Sequence, residues 1–193
     1  HMFQHWNDFA VIRHPIDRFL SGFLDKCISH PTYLDTGTEE DNFSCHGCGA
    51  NFTCFVINQY HRMMAQSQHP NYRITNADLH FFPQSWRCEF NRFLANISIV
   101  KYNDPQTGKY DANLFINGLV KILQQKNNIN PESLKLIKKH LRESKTIHVT
   151  RNTIARQFLQ KLLFSSPFLM EFIVRMYFWD FVLFDYPIPE INF

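Results

Sequence analysis

Arg13 and Ser21 are the residues whose types and spacing first suggest chemistry. A guanidinium presents a fork of donors that matches a phosphate, and a nearby hydroxyl can bond the same anion. The pair therefore suits a phosphate monoester. The plainer alternative is that Arg13 pairs with an acidic neighbour and Ser21 is an ordinary helix-surface residue. Five cysteines form a second group, Cys45-x-x-Cys48 together with Cys27, Cys54 and Cys88. A thioredoxin-type redox site would need a buried strand before Cys45, and Glu39-Glu40-Asp41-Asn42 is not one. A zinc site would need a second ligand pair, which Cys54 and His61 supply only at a stretch. Structural disulfides are the simplest reading, with the odd count leaving one thiol free or paired outside the chain. The pairing is not readable from the sequence.

The elements that must position Arg13 and Ser21 follow from the residues around them. Phe9-Ala10-Val11-Ile12 reads as a short strand buried on both faces, as inside a parallel sheet. Pro15 ends it, since proline cannot donate to a ladder. Phe19, Leu20, Phe23, Leu24, Cys27 and Ile28 recur at helical spacing, so a helix begins near Ile16. Arg13 then sits at the carboxyl end of a strand, where open α/β sheets bind ligands, and Ser21 lies early in the following helix. Residues 29–50 read as a long ordered loop held by cysteines. Phe52 to Gln66 is a helix with Phe55, Val56, Gln59, Tyr60, Met63 and Met64 on one face. Residues 71–91 are aromatic and irregular, and Ile97 to Tyr102 is a second strand. Asp111 can cap a helix over about Asn113 to Lys126, with Leu114, Phe115, Leu119, Ile122 and Leu123 inward. Asn130-Pro131 and Ser166-Pro167 each open a further helix, the first running to about Glu143. The expected fold is α/β, a parallel sheet flanked by helices.

Arg13 through Ser21, read as R-x-P-x-x-R-x-x-S, resembles the 3′-phosphate-binding motif of sulfotransferases that use 3′-phosphoadenosine 5′-phosphosulfate. The resemblance continues, towards a nematode branch of the Golgi carbohydrate sulfotransferases, through three further stretches. They are Asp25-Lys26-Cys27-Ile28, Cys45-His46-Gly47-Cys48 with Cys54-Phe55, and His80-Phe81-Phe82-Pro83-Gln84-Ser85-Trp86-Arg87-Cys88. It extends over most of the chain. Golgi members commonly have Asp where this chain has His14, a departure outside the Arg/Ser pair.

The resemblance implies a P-loop-like sulfotransferase architecture and sulfate transfer from 3′-phosphoadenosine 5′-phosphosulfate to a glycan hydroxyl, without a metal. It implies a glycosaminoglycan or related acceptor, and a Golgi lumenal or secreted protein held to the membrane only through a segment outside this chain. Arg13 and Ser21 would bind the nucleotide. Lys145 to Thr153 is similar to the late loop that closes over it, with Thr150 and Arg151 as contacts. His80 is the best-marked candidate for the general base, although a histidine among Phe81, Phe82 and Trp86 is often a packed structural residue. In the family the 5′-phosphosulfate cradle precedes the 3′-phosphate strand, and no G-x-x-x-x-G-K-[ST] loop occurs in this chain. An N-terminally truncated domain, unable alone to complete the donor site, is the expectation. The runner-up is a non-catalytic secreted glycan-binding or interaction module that keeps the fold, and a zinc-binding module on Cys45 and Cys48 is a third possibility.

Hydrophobic content of 45% with twenty Phe supports a packed globule rather than disorder. One domain over residues 3–193 is expected, with His1-Met2 read as a cloning remnant. Net charge is only +3, but Lys135, Lys138, Lys139, Arg142, Lys145, Arg151, Arg156 and Lys161 face a single acid, Glu143. Such a run attracts polyanions, or else forms a solvated helix face. No RNA-binding or zinc-finger signature accompanies it, so nucleic acid ranks low. The sequons at Asn42, Asn51 and Asn96, together with the cysteines, point to the secretory pathway. Pro167 to Tyr186 carries Glu171, Arg175, Asp180 and Asp185, which makes it a core-facing helix rather than a membrane span.

Overall fold

The computed structural model describes residues 8–29, 45–69, 74, 76–125, 129–143 and 153–191. Among them the order is β1 (Phe9–Ile12), α1 (Pro15–Phe23), α2 (Phe52–Gln68), α3 (Asn76–Phe81), α4 (Phe90–Phe93), β2 (Ser98–Lys101), α5 (Ala112–Gln124), α6 (Pro131–Glu143), α7 (Ile154–Phe164) and α8 (Pro167–Leu183). The chain forms two compact units. One holds β1, β2, α4, α5, α6 and the last turns of α8; the other holds α1, α2, α3, α7 and the rest of α8.

In the first unit β1 and β2 pair in parallel, Phe9 opposite Ser98 and Ile12 opposite Lys101. The expected parallel sheet is therefore present, with two strands among the described residues. Burial of β1 on both faces is not. Phe9 and Val11 are 44% and 45% exposed while Ile12 is 3% exposed. Alternate residues of a strand point to opposite faces, so one face is covered and the other open. A continuous apolar run has no period from which to tell one covered face from two. Asp111 caps α5 as expected, accepting from Asn113 N at 2.8 Å and Leu114 N at 3.0 Å. The inward stripe is Ile116, Val120 and Ile122, and Leu114 is 38% exposed rather than inward. A helix this apolar offers overlapping stripes, and packing on β2 chooses among them. Asn130 caps α6 through Glu132 N at 2.9 Å, and α6 buries no residue, which fits the solvated helix face offered above as one reading of the basic run.

The second unit is built on aromatic rings. Phe19 meets Phe52, Phe55, Phe81 and Tyr177 at centroid distances of 6.0, 5.8, 5.7 and 5.9 Å, mostly edge to face, the arrangement ring quadrupoles favour. Gly22 admits this packing, because a Cβ there would lie 2.9 Å from Phe81 Cε1. After Phe23 the helix widens into a π-helical turn, Leu24–Ser29. Its longer repeat shifts the phase, so Cys27 stays inside while Ile28, expected inward, is 40% exposed. Cys27 bonds Cys45 and Cys48 bonds Cys54, leaving Cys88 as an exposed free thiol. Asn51 caps α2 through Cys54 N at 3.1 Å.

Residues 71–91, expected to be irregular, contain α3, the start of α4 and a 3-10 turn at Gln84–Trp86. These elements are too short to show a periodic stripe. Along α8, Ser166 accepts from Leu169 N at 3.3 Å as the cap, and the helix breaks at Tyr177 (φ −117°, ψ 17°), whose hydroxyl donates to the Phe81 carbonyl. No single helix among the described residues is long and apolar enough to cross a membrane; α7 and α8 meet that measure only as a bent pair.

Candidate functional site

Arg13 belongs to the first unit and stands at the carboxyl end of β1. Its backbone N–H donates to Gln84 Oε1 at 3.0 Å, and its carbonyl accepts from Gln84 Nε2 at 2.8 Å. The Gln84 amide thus takes the place of a neighbouring strand just where Pro15 prevents the ladder continuing. Gln84 is fixed in turn by buried Asp180, whose carboxylate accepts from Gln84 N and Ser85 N, both at 2.8 Å. The Arg13 guanidinium lies over the Tyr102 ring, 5.4 Å from its centroid, a cation–π placement that orients the charge. His14 is clasped beside it. Its N–H donates to Asn103 Oδ1 at 3.0 Å, and its ring meets the edges of Tyr186 and Phe181 at 5.0 and 5.9 Å. Gly108 (φ +63°) abuts that ring, with a Cβ there falling 3.2 Å from His14 Cγ.

Ser21 belongs to the second unit and is buried on α1. Its Oγ accepts from Arg156 Nη1 at 3.2 Å, and the same nitrogen donates to the Asp17 carbonyl at 3.2 Å. Arg156 Nη2 donates to Asp17 Oδ1 at 2.6 Å, closing a buried ion pair. Removing one partner of such a pair costs about 3–5 kcal/mol, because the other charge is left stranded out of water. Arg18, the second arginine of the motif, donates to the carbonyls of Phe82 at 2.8 Å and Leu79 at 3.3 Å. It closes the carboxyl end of α3, where orphan carbonyls attract a cation.

The other candidate residues fall elsewhere. His80 is exposed in the last turn of α3. Thr150 and Arg151 lie outside the described residues. The two cysteines of Cys45-x-x-Cys48 are in different disulfides, so they do not act as one dithiol. His46, between them, stacks on Phe55 at 5.2 Å and shares a 2.9 Å hydrogen bond between its Nε2 and Gln59 Oε1. Burial pushes its pKa below the usual 6.5, outweighing the upward pull of the Gln59 bond. Its neighbour Arg62 is committed to buried Asp78, at 2.5 and 2.7 Å.

The model of the sulfotransferase family matches residues 1–187, a span that includes the whole Arg13–Ser21 motif. The chain belongs to the sulfotransferase family. An uncharacterized protein of Caenorhabditis elegans is 34% identical to it over 96% of this chain and 48% of that protein. The carbohydrate sulfotransferase chst-1 of the same organism is 33% identical over 95% of this chain and 53% of that protein. The chain thus spans about half the length of the curated relatives it matches. No solved structure matches it.

Within this sulfotransferase chain, three residues that hold the motif escaped the sequence reading. Arg156 was visible only as one member of a basic run, yet it is 7% exposed. Its spacing with Leu159 and Leu163, three and seven residues on, is that of the buried face of α7 and was the available signal. Gln84 lies inside the His80–Cys88 stretch, where no periodic pattern marks it as buried. Asp180 was read only as a charge that argues against a membrane span.

Proposed function

We propose that the full-length protein is a carbohydrate sulfotransferase that moves sulfate from 3′-phosphoadenosine 5′-phosphosulfate to a glycan hydroxyl. The observation that carries this reading is the family match across the R-x-P-x-x-R-x-x-S motif, in which Arg13 and Ser21 are each held by a buried framework. Arg13 and Ser21 ligate the donor's 3′-phosphate, the first by charge and the second by its hydroxyl. Thr150 and Arg151 add contacts from the late loop, and His80 takes the acceptor's proton. The acceptor oxygen attacks sulfur, a new S–O bond forms, and the S–O bond to the 5′-phosphate breaks. Adenosine 3′,5′-bisphosphate then leaves. The protein's contribution is alignment and stabilisation of charge on the departing phosphate, by analogy with phosphoryl transfer.

The reading takes residues 3–193 as part of one P-loop-like sulfotransferase domain, with the acceptor a glycosaminoglycan or related chain. The setting is the Golgi lumen, supported by two disulfides and by sequons at Asn51 and Asn96, both exposed. The test is transfer of radiolabelled sulfate by the full-length protein to a panel of glycan acceptors. Labelled glycan and stoichiometric release of adenosine 3′,5′-bisphosphate are expected. Tight nucleotide binding without transfer to any glycan would contradict the proposal.

A further inference from the structure

We propose that an open cleft on α2 holds a neutral sugar residue of the glycan that receives the sulfate. This deepens the function proposed above and rests on its reading of a glycan as the substrate. Asn58, His61, Arg62 and Ala65 follow one another at offsets of three, four and seven, which puts them on one face of α2. His46 joins them from the turn before α2, within the same compact unit, and the five residues line a cleft of about 370 Å³. That volume falls at the small end of sites for small molecules, about 300–1,000 Å³.

The walls are fixed before any ligand arrives. The Cys27–Cys45 and Cys48–Cys54 bridges pin the turn on either side of His46. Asn58 Nδ2 donates to the His46 carbonyl at 3.3 Å, tying the turn to the helix. Arg62 is bound by the buried Asp78 carboxylate through two bonds, at 2.5 and 2.7 Å. A site ordered in advance loses little freedom on binding, so modest contacts count for more.

These walls present hydrogen-bond acceptors. With its Nδ2 given to the turn, Asn58 keeps its carbonyl oxygen, which has no hydrogen-bond partner among the described residues. His46 donates through Nε2 to Gln59 Oε1, so the Nδ1 of its neutral ring is an acceptor. His61 is exposed, and its ring nitrogens make no hydrogen bond among the described residues. Sugar hydroxyls donate to such groups, and Ala65 offers an apolar wall to the C–H face of a sugar ring. The Arg62 charge is balanced by Asp78, so a uronate or sulfate gains no unmatched cation from it.

The experiment uses the full-length protein and the methyl glycosides of glucose, galactose, N-acetylglucosamine and glucuronic acid, read by saturation-transfer NMR. At least one neutral glycoside should receive saturation, and more of it than the glucuronide. Ala65→Phe, which fills the cleft, and His61→Ala should each weaken that binding about tenfold, the size of one or two neutral hydrogen bonds. Affinity for adenosine 3′,5′-bisphosphate should stay as it is in both. In sulfate transfer both should raise the KM for the glycan and leave kcat, as expected for an interaction equally strong in ground and transition states. Saturation of no neutral glycoside, a stronger signal from the glucuronide, or binding unchanged in both variants would overturn the proposal. Should Ala65→Phe fail to fold, His61→Ala and Ala65→Leu carry the same measurement. A wild-type protein that transfers sulfate to no glycan would sink the reading of the substrate itself. Transfer to a glycan with a KM that neither variant moves would sink this proposal alone.

Discussion

The side-chain amide of Gln84 is bonded to both backbone groups of Arg13, accepting from its N–H at 3.0 Å and donating to its carbonyl at 2.8 Å. The strand end that presents the motif's first arginine is therefore held from a segment 71 residues away. Gln84→Ala strands both groups and should lower the unfolding free energy by about 2 kcal/mol or more. Gln84→Glu should be worse. It sets a carboxylate oxygen against the Arg13 carbonyl and beside Asp180 Oδ2, which now lies 3.5 Å from Gln84 Nε2. Urea unfolding of the two variants ranks them, and a milder effect for glutamate would count against the described role.

The disulfides make a second prediction. A peptide map under non-reducing conditions should show Cys27 joined to Cys45, Cys48 joined to Cys54, and Cys88 alkylated. Loop-closure entropy grows with the enclosed length, so losing the bridge of separation 18 should cost about 3 kcal/mol and that of separation 6 about 2 kcal/mol. Paired Cys→Ser variants compared by denaturant unfolding check the order.

Stability should fall in mild acid because of His46. Its folded pKa lies below the ordinary 6.5, chiefly through burial, so the unfolded chain takes up this proton first as pH falls. The loss begins near pH 6.5 and continues until the folded pKa is passed. Asp104, held below its usual range by hydrogen bonds from Thr107, adds its own loss only near pH 4 and below. His46 occupies a left-handed backbone conformation (φ +60°), which asparagine tolerates. The His46→Asn variant should therefore lose less stability between pH 7.5 and 5.5 than the wild type, and equal slopes would exclude His46 as the source.

Much of this was legible from residue types. The caps Asp111, Asn130 and Ser166 lie where side-chain chemistry puts them, since each bond closes within three residues. The Arg13–Ser21 motif was legible because strand, proline and helix follow one another directly. The supports of that motif were not. Gln84, Asp180 and Arg156 act across 71, 96 and 135 positions, and nothing local distinguishes a buried polar anchor from a solvated one. The open face of β1 was hidden for a related reason, since burial depends on what lies opposite. His80 was marked by its place in the His80–Cys88 match, with its aromatic neighbours arguing for a packed residue; it is exposed, and the buried polar residue of that stretch is Gln84.

Glycosylation provides a fourth check, free of interference from folding. Asn51 uses its Oδ1 to cap α2, so replacing it would confuse loss of the sugar with loss of about 1 kcal/mol of cap. Thr53 is exposed, and Thr53→Ala removes the sequon while leaving the cap. Expressed through a secretory pathway, the wild type should carry a glycan at Asn51 that this variant lacks. Identical intact masses for the two polypeptides, beyond the Thr-to-Ala difference, would show that the sequon is unused.

The central claim is that Arg13 and Ser21 hold the 3′-phosphate of the sulfate donor. Calorimetric titration of the full-length protein with adenosine 3′,5′-bisphosphate tests it most directly, comparing wild type, Arg13→Ala and Ser21→Ala. Charge-assisted bonds contribute about 1.5–3 kcal/mol each, so each variant should bind roughly ten- to a hundredfold more weakly. Far-ultraviolet dichroism checks that each variant keeps its fold. Equal affinity in all three proteins would contradict the account.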